Sequence, residues 1–178
     1  DSYTSTAVDS DGGTDNTGQK KSKGKSIKVE ELTPLGMLLA QLPVDPRIGK
    51  MMLFGAIFRC IEPTLIVAAS LAFRSPFFSP FDKRDAADLV KRSFDPLSDH
   101  TTLLQAYTGW EISKEGGRGA ERDYLSANFL SRNTLEMIKK MKQQFATLLR
   151  DIGFYHGRHL EHYNQNSENL GLVKAVLV

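Results

Sequence analysis

The sequence predicts an all-α protein, a helical bundle reached through a polar, disordered N-terminal segment. Three observations predict it. The most apolar stretch, Leu32 to Phe73, is restarted by proline at Thr33-Pro34, Asp45-Pro46 and Glu62-Pro63. Proline suits a first helical turn, where its missing N–H has no partner to lose, and Thr or Asp before it caps the free amides. A later segment, TLEMIKKMKQQFATLLRDIGF, carries one unbroken apolar stripe at helical spacing. Strand-like alternation occurs only in IKVEEL, residues 27–32, over too few residues to define a strand.

Length and composition set the frame. The chain has 178 residues, of which 40% are hydrophobic and 25% charged. That is one domain or two small ones of ordinary globular composition. The net charge of +2 makes no general case for nucleic acid, so any such case rests on local placement. The single cysteine, Cys60, excludes an internal disulfide and points to a reducing, intracellular setting, nuclear or cytoplasmic. Arg59, Glu62 and Arg74 break the apolar runs below membrane-spanning length. The first residue is not Met and the last residues, AVLV, stop inside an apolar run, so both ends read as cuts in a longer protein.

Residues 1–31 are rich in Ser, Thr, Asp and Gly, then in lysine (KKSKGKSIK, Lys20 to Lys28), and read as a disordered linker. A first helix is expected from Pro34 to Gln41, with Leu35, Leu38, Leu39 and Leu42 on one face. A second runs from Pro46 to Arg59, where Gly49 and Gly55 permit close helix approach. The third, Pro63 to Phe73, is apolar nearly all round and should be buried. SPFFSPF, residues 75–81, reads as an irregular connector pinned by its phenylalanines, with a partner site or a stacking platform for bases as the alternative.

Asp82 is expected to cap a helix reaching Phe94, and Asp95-Pro96 to break it. Ser98 or Asp99 caps the next, with Leu103, Leu104, Tyr107 and Trp110 inward, and EGGRG ends it. A short helix over 119–130 follows. Asn133 with Glu136 suggests a capping box for the long helix, whose stripe is Leu135, Ile138, Met141 (or Met137), Phe145, Leu148, Leu149 and Ile152. Gly153 stops it. Residues 155–166 read as a loop with His156, His159 and His162. Their spacing invites a metal reading, but no carboxylate or cysteine completes a set, so no metal site is assigned. Ser167 is expected to cap a last helix.

No catalytic constellation appears. GxxxxGK[ST] and G-x-S-x-G are both missing, and Cys60 sits where a thiol stays protonated. Asp99 and His100 are sequence neighbours on a helix and do not face each other, so a dyad is disfavoured. The positive case is a surface one. Helix starts present free amides and partial positive charge to phosphate. Ser131, Arg132, Asn133 and Thr134 place a guanidinium, an amide and two hydroxyls at such a start, although capping alone also explains them.

Three blocks, LTPLGMLLAQLPVDPRIGKMMLFGAIFRC, SDHTTLLQAYTGWE and NFLSRNTLEMIKKMKQQFATLLRDIGF, resemble in order the helicase-associated region of DEAH-box ATP-dependent RNA helicases. They look closest to the branch whose members unwind structured RNA or G-quadruplexes. The resemblance covers about Leu32 to Val178. It implies that residues 32–74 are the end of a winged helix, with its earlier part missing, and that 75–178 are a C-terminally truncated, ratchet-like bundle. It implies no cofactor in this chain, with ATP and Mg bound by RecA-like motor domains elsewhere and an OB-fold following. It also implies a role in closing a channel over single-stranded RNA during 3'-to-5' unwinding. By analogy, the contact residues expected are Ser98, Asp99 and His100, then Ser131 to Thr134, with Lys139 beside them. Arg47 and Lys50 face RNA or an activator protein. The alternative is a protein-interaction module derived from a helicase that has lost its motor.

Overall fold

The computed structural model describes residues 31–154 and 160–177. The lysine-rich linker, His156 and His159 lie outside them. Residues 32–178 form one compact unit. Among the described residues there are eight α-helices and no strand, and no helix is long and apolar enough to cross a membrane.

Helix α1 (Pro34–Leu39) begins as its sequence demands, with the Thr33 hydroxyl accepting from the Gly36 N–H at 3.1 Å. Helix α2 (Pro46–Ile57) begins likewise on Asp45, which accepts from Arg47 N–H at 2.8 Å. It ends two residues short of Arg59. Phe58 caps it and Arg59 takes φ 57°, so Cys60 N–H can close back onto Gly55 C=O at 2.9 Å. That is the left-handed termination usually given to glycine.

Helix α3 (Ile61–Ala72) starts at Ile61 rather than Pro63. The first four helical N–H groups have no intrahelical acceptor, so proline fits the third position as well as the first. Nine of its residues, Ile61 and Pro63 to Ser70, are buried. The two hydroxyls among them turn back along the helix, Thr64 to Cys60 C=O at 2.7 Å and Ser70 to Ile66 C=O at 2.8 Å. α3 packs against α2 and, further along the chain, against α5 (Asp99–Glu115), α7 (Arg132–Asp151) and α8 (Leu170–Leu177). The core therefore runs continuously across residue 74.

The connector is pinned, as its phenylalanines suggest. Phe77 and Leu130 form an antiparallel bridge, Phe78 N–H donates to Phe129 C=O and Ser131 N–H to Pro76 C=O, both at 2.9 Å. A 3-10 turn at Phe81–Lys83 then leads into α4 (Arg84–Phe94). Asp82 sits inside that turn, so the expected cap is not made. The glycine-rich EGGRG is a corner rather than a loop. Gly116 ends α5, and Gly117, at φ 86°, opens α6 (Gly117–Ala127) directly.

α7 starts on Ser131, not on an Asn133–Glu136 box. Ser131 Oγ accepts from Thr134 N–H, and Glu136 turns instead to Lys114 at 3.1 Å. Its stripe is the expected one. Leu135, Ile138, Phe145 and Leu149 are buried and Met141 packs against the core, while Met137 stays exposed. Gly153, at φ 81°, ends it.

The expected loop is partly built. Residues Leu160–Asn164 form a 3-10 helix, and its polar tail fastens to the α2–α3 corner. Asn164 Oδ1 accepts from Glu62 N–H at 2.8 Å, Asn166 Nδ2 donates to Phe58 C=O at 2.9 Å, and Arg59 donates to Gln165 at 2.6 Å. Asn169, not Ser167, caps α8, accepting from Leu172 N–H at 3.1 Å, because the Ser167 hydroxyl is engaged by Asn164.

Two predictions follow from this packing. A Cβ at Gly55 would lie 2.7 Å from Cβ of buried Thr64. Gly55→Ala should therefore destabilise by about 1–3 kcal/mol through overpacking, against roughly 1 kcal/mol of helix propensity gained; urea unfolding of the full chain measures the balance. Tyr107, on α5, is buried with its hydroxyl unpartnered. Tyr107→Phe should leave stability unchanged or raise it by about 1 kcal/mol, since it removes an unsatisfied polar group. A loss of that size in thermal unfolding would show that the hydroxyl holds a bridging water.

Candidate nucleic-acid interface

The expected contact residues start three helices. At α5, the Asp95-Pro96 break leaves Ser98 extended, and Ser98 Oγ accepts from both Thr101 N–H (3.2 Å) and Thr101 Oγ1 (3.0 Å). Asp99 pairs with Lys91 of α4 at 3.0 Å, but its carboxylate is largely exposed, so the pair contributes little. His100 is half-buried and makes no hydrogen bond among the described residues. Beside them is a polar recess of about 330 Å³ lined by Asp88, Lys91, Arg92, Asp95, Ser98 and Asp99. Asp95 is held below the usual carboxylate range, first by the Leu97 N–H and then by Lys174 of α8. The recess mixes three carboxylates with two cations and is no simple anion trap.

At α7 the polar set is largely engaged within the protein. Thr134 is buried, and its hydroxyl donates to Ser131 Oγ at 3.0 Å. Arg132 reaches back to Glu121 of α6 at 3.1 Å. Glu121 is itself buried, and its other oxygen accepts from Trp110 Nε1 at 3.0 Å, so one carboxylate ties α5, α6 and α7 together. Its signal in the sequence is faint, a lone Glu in the polar run GRGAERD. Asn133 is exposed with no hydrogen bond among the described residues. Lys139 pairs with Glu111 of α5 at 3.1 Å.

These links also fix direction. Lys114 pairs with Glu136, Glu111 with Lys139, and Lys142 lies over the Tyr107 ring at 5.2 Å. Contacts that descend α5 ascend α7, so the two helices run antiparallel. Ser98 and Ser131 therefore lie toward opposite ends of the pair. The structure groups Ser131 to Thr134 with Lys139, and places Ser98, Asp99 and His100 apart from them.

A third region lies at α2. Arg47 and Lys50 are exposed and make no ion pair among the described residues, with Lys50 Nζ 5.6 Å from the Phe54 ring centre. They flank an apolar groove of about 840 Å³ whose walls include Met51, Leu71 and Val176.

Two buried titratable groups of the described residues are held protonated. Burial pushes the Cys60 thiol up, only partly opposed by its contact with the Thr64 hydroxyl, so the reactive thiolate is suppressed. Burial, with the charges of Glu111, Glu62 and Glu136, likewise raises Tyr107 and keeps its phenol protonated. Among the described residues no three His, Cys, Asp or Glu side chains gather as a metal site. What the three regions offer is hydrogen-bond donors and cations at a surface.

Comparison with known proteins places the chain beside RNA helicases. Residues 45–103 match the family of the ratchet-like helicase-associated domain (HA2). The chain is 50% identical to the DExH-box ATP-dependent RNA helicase DExH1 of Arabidopsis thaliana over 88% of its own length and 16% of the relative's. It is 47% identical to the ATP-dependent DNA/RNA helicase DHX36 of Homo sapiens, over 84% of the chain and 15% of that protein. It is 46% identical to the putative ATP-dependent RNA helicase DHX57 of Homo sapiens, over 83% and 12%. The chain thus spans less than a fifth of the relatives it matches. Residues 45–103 carry the ratchet-like helicase-associated domain, and along most of its length the chain is similar to DExH/DEAH-box ATP-dependent RNA helicases.

Proposed function

We propose that the chain is the non-catalytic helicase-associated module of an ATP-dependent RNA helicase, closing a channel over single-stranded RNA during 3'-to-5' unwinding. The observation that carries this reading is the match along most of the chain to ATP-dependent helicases at 46–50% identity. In this reading residues 32–74 end a winged helix and 75–178 form the ratchet bundle. ATP and Mg are bound by RecA-like motor domains outside the chain, an OB-fold completes the channel, and the protein works inside the cell.

The bundle's part is mechanical. It holds the strand while the motor steps, so it needs sequence-tolerant contacts to the backbone rather than a reacting group. Arg132 and Asn133, with Lys139 two turns on, supply a guanidinium, an amide and an ammonium along one side of α7. The pairs Arg132–Glu121 and Lys139–Glu111 pre-position those cations, and a phosphate competes with the carboxylates for them. Ser98, Asp99 and His100 serve a second point of contact at the other end. Arg47 and Lys50, beside the apolar groove, are the residues we assign to an activator protein.

Titration of the full chain with a fluorescent single-stranded oligoribonucleotide at several salt concentrations tests the reading. Affinity should fall with salt with a slope of about −0.7 per phosphate neutralised. Lys139→Ala should weaken binding similarly for all base sequences and reduce that slope by about one contact's worth. Binding indifferent to salt, or no binding either alone or joined to a relative's motor domains, would contradict it.

A further inference from the structure

The connector 75–81 has a surface that the channel reading does not use. Phe81 is 89% exposed and Phe78 48% exposed. Phe73, just before the connector, is 38% exposed. Single exposed apolar side chains are ordinary, but a cluster of aromatic rings on one short segment is not. Two of these rings carry a cation. The Arg84 guanidinium lies 5.2 Å from the Phe81 ring centre, and that of Arg74 lies 5.2 Å from the Phe73 ring centre. Lys83 adjoins them, and none of Arg74, Lys83 and Arg84 makes an ion pair among the described residues. Over residues 74–85 these three cations outnumber the carboxylates, Asp82 and Asp85, by one charge.

The segment is also held in place. Pro76 is buried, its carbonyl accepts from Ser131 N–H, and Phe78 N–H donates to Phe129 C=O. Phe77 sets its edge on Phe94 with ring centres 5.7 Å apart, and Phe78 meets Phe129 at 6.2 Å. Phe129 is a bulky residue at φ 51°, a costly conformation that keeps its carbonyl aimed at the connector. Phe78, fixed in this way, loses little freedom when a ligand stacks on it, and Phe81 follows it by three residues with Arg84 over its ring. The same hydrogen bonds set the connector against the start of α7, beside exposed Arg132 and Asn133.

We propose that Phe81 and Phe78, with Arg74, Lys83 and Arg84, form a base-stacking platform for single-stranded nucleic acid, next to the α7 contact. The proposal rests on the RNA-binding reading above and adds a subsite to it. Arg84 covers one face of Phe81 and leaves the other for a base, while the unpaired cations take the adjoining phosphates.

The test uses the full chain and oligoribonucleotides carrying 2-aminopurine, whose emission is quenched on stacking. Phe81→Ala should weaken binding about tenfold and abolish the quench, with the salt slope retained. Phe81→Trp should restore both. An oligonucleotide abasic at the probe position should bind Phe81→Ala and the unaltered chain alike. Circular dichroism showing the same unfolding midpoint separates these effects from misfolding. If Phe81→Ala binds as tightly as the unaltered chain while Lys139→Ala binds less tightly, the platform is wrong and the module reading stands. If the unaltered chain binds no RNA, both fall. If Phe81→Ala changes only the sedimentation of the chain, the rings are a protein contact and the platform is overturned.

Discussion

The all-round burial of α3 is the constraint on which the rest of the structure depends. A helix with Leu65, Ile66, Val67, Ala68 and Ala69 all inside the core has no solvent face, so it needs neighbours on every side. Fully burying each of the larger side chains contributes about 1.5–3 kcal/mol, which makes the arrangement of those neighbours strongly preferred. α2 supplies one side through the close Gly55–Thr64 approach. α5 and α7 supply two others, and α8 closes the last. Polar links then set the register. Glu62, in the first turn of α3, pairs with Lys142 of α7 and donates its N–H to Asn164.

The apolar framework was legible in the sequence because burial leaves a period. The α7 stripe, the inward face of α5 and the apolar α3 all emerged from spacing alone. Helix starts were legible where the cap is local, at Thr33, Asp45 and Ser98. Local signals mislead where tertiary contacts decide. Asn133 and Glu136 have capping-box spacing, yet Lys114 from another helix takes Glu136, and Ser131 is fixed two residues earlier by Pro76. Ser167 is a good cap by type, but Asn164 already holds its hydroxyl. The left-handed terminations at Arg59 and Phe129 lack the glycine that would announce them, because long-range hydrogen bonds from Asn166 and Phe78 hold those carbonyls in place.

The candidate interface was legible in residue type and not in availability. Thr134 is an apt phosphate ligand on paper, but it is buried. Arg132 and Lys139 are half-committed to carboxylates on neighbouring helices, which tunes how readily they release. Glu121, which joins Trp110 and Arg132, lies in a polar run with no period to mark it. The separation of Ser98 from Ser131 follows from helix direction, which no local motif encodes.

Hydrogen–deuterium exchange of the chain with and without single-stranded RNA tests the central claim most directly, because it reports every backbone amide at once. The account predicts that RNA slows exchange at the connector and the start of α7, residues 75–84 and 128–135, and leaves buried α3 unchanged. Protection confined to the α2–α8 groove around Arg47 and Lys50, with none at the start of α7, would contradict it.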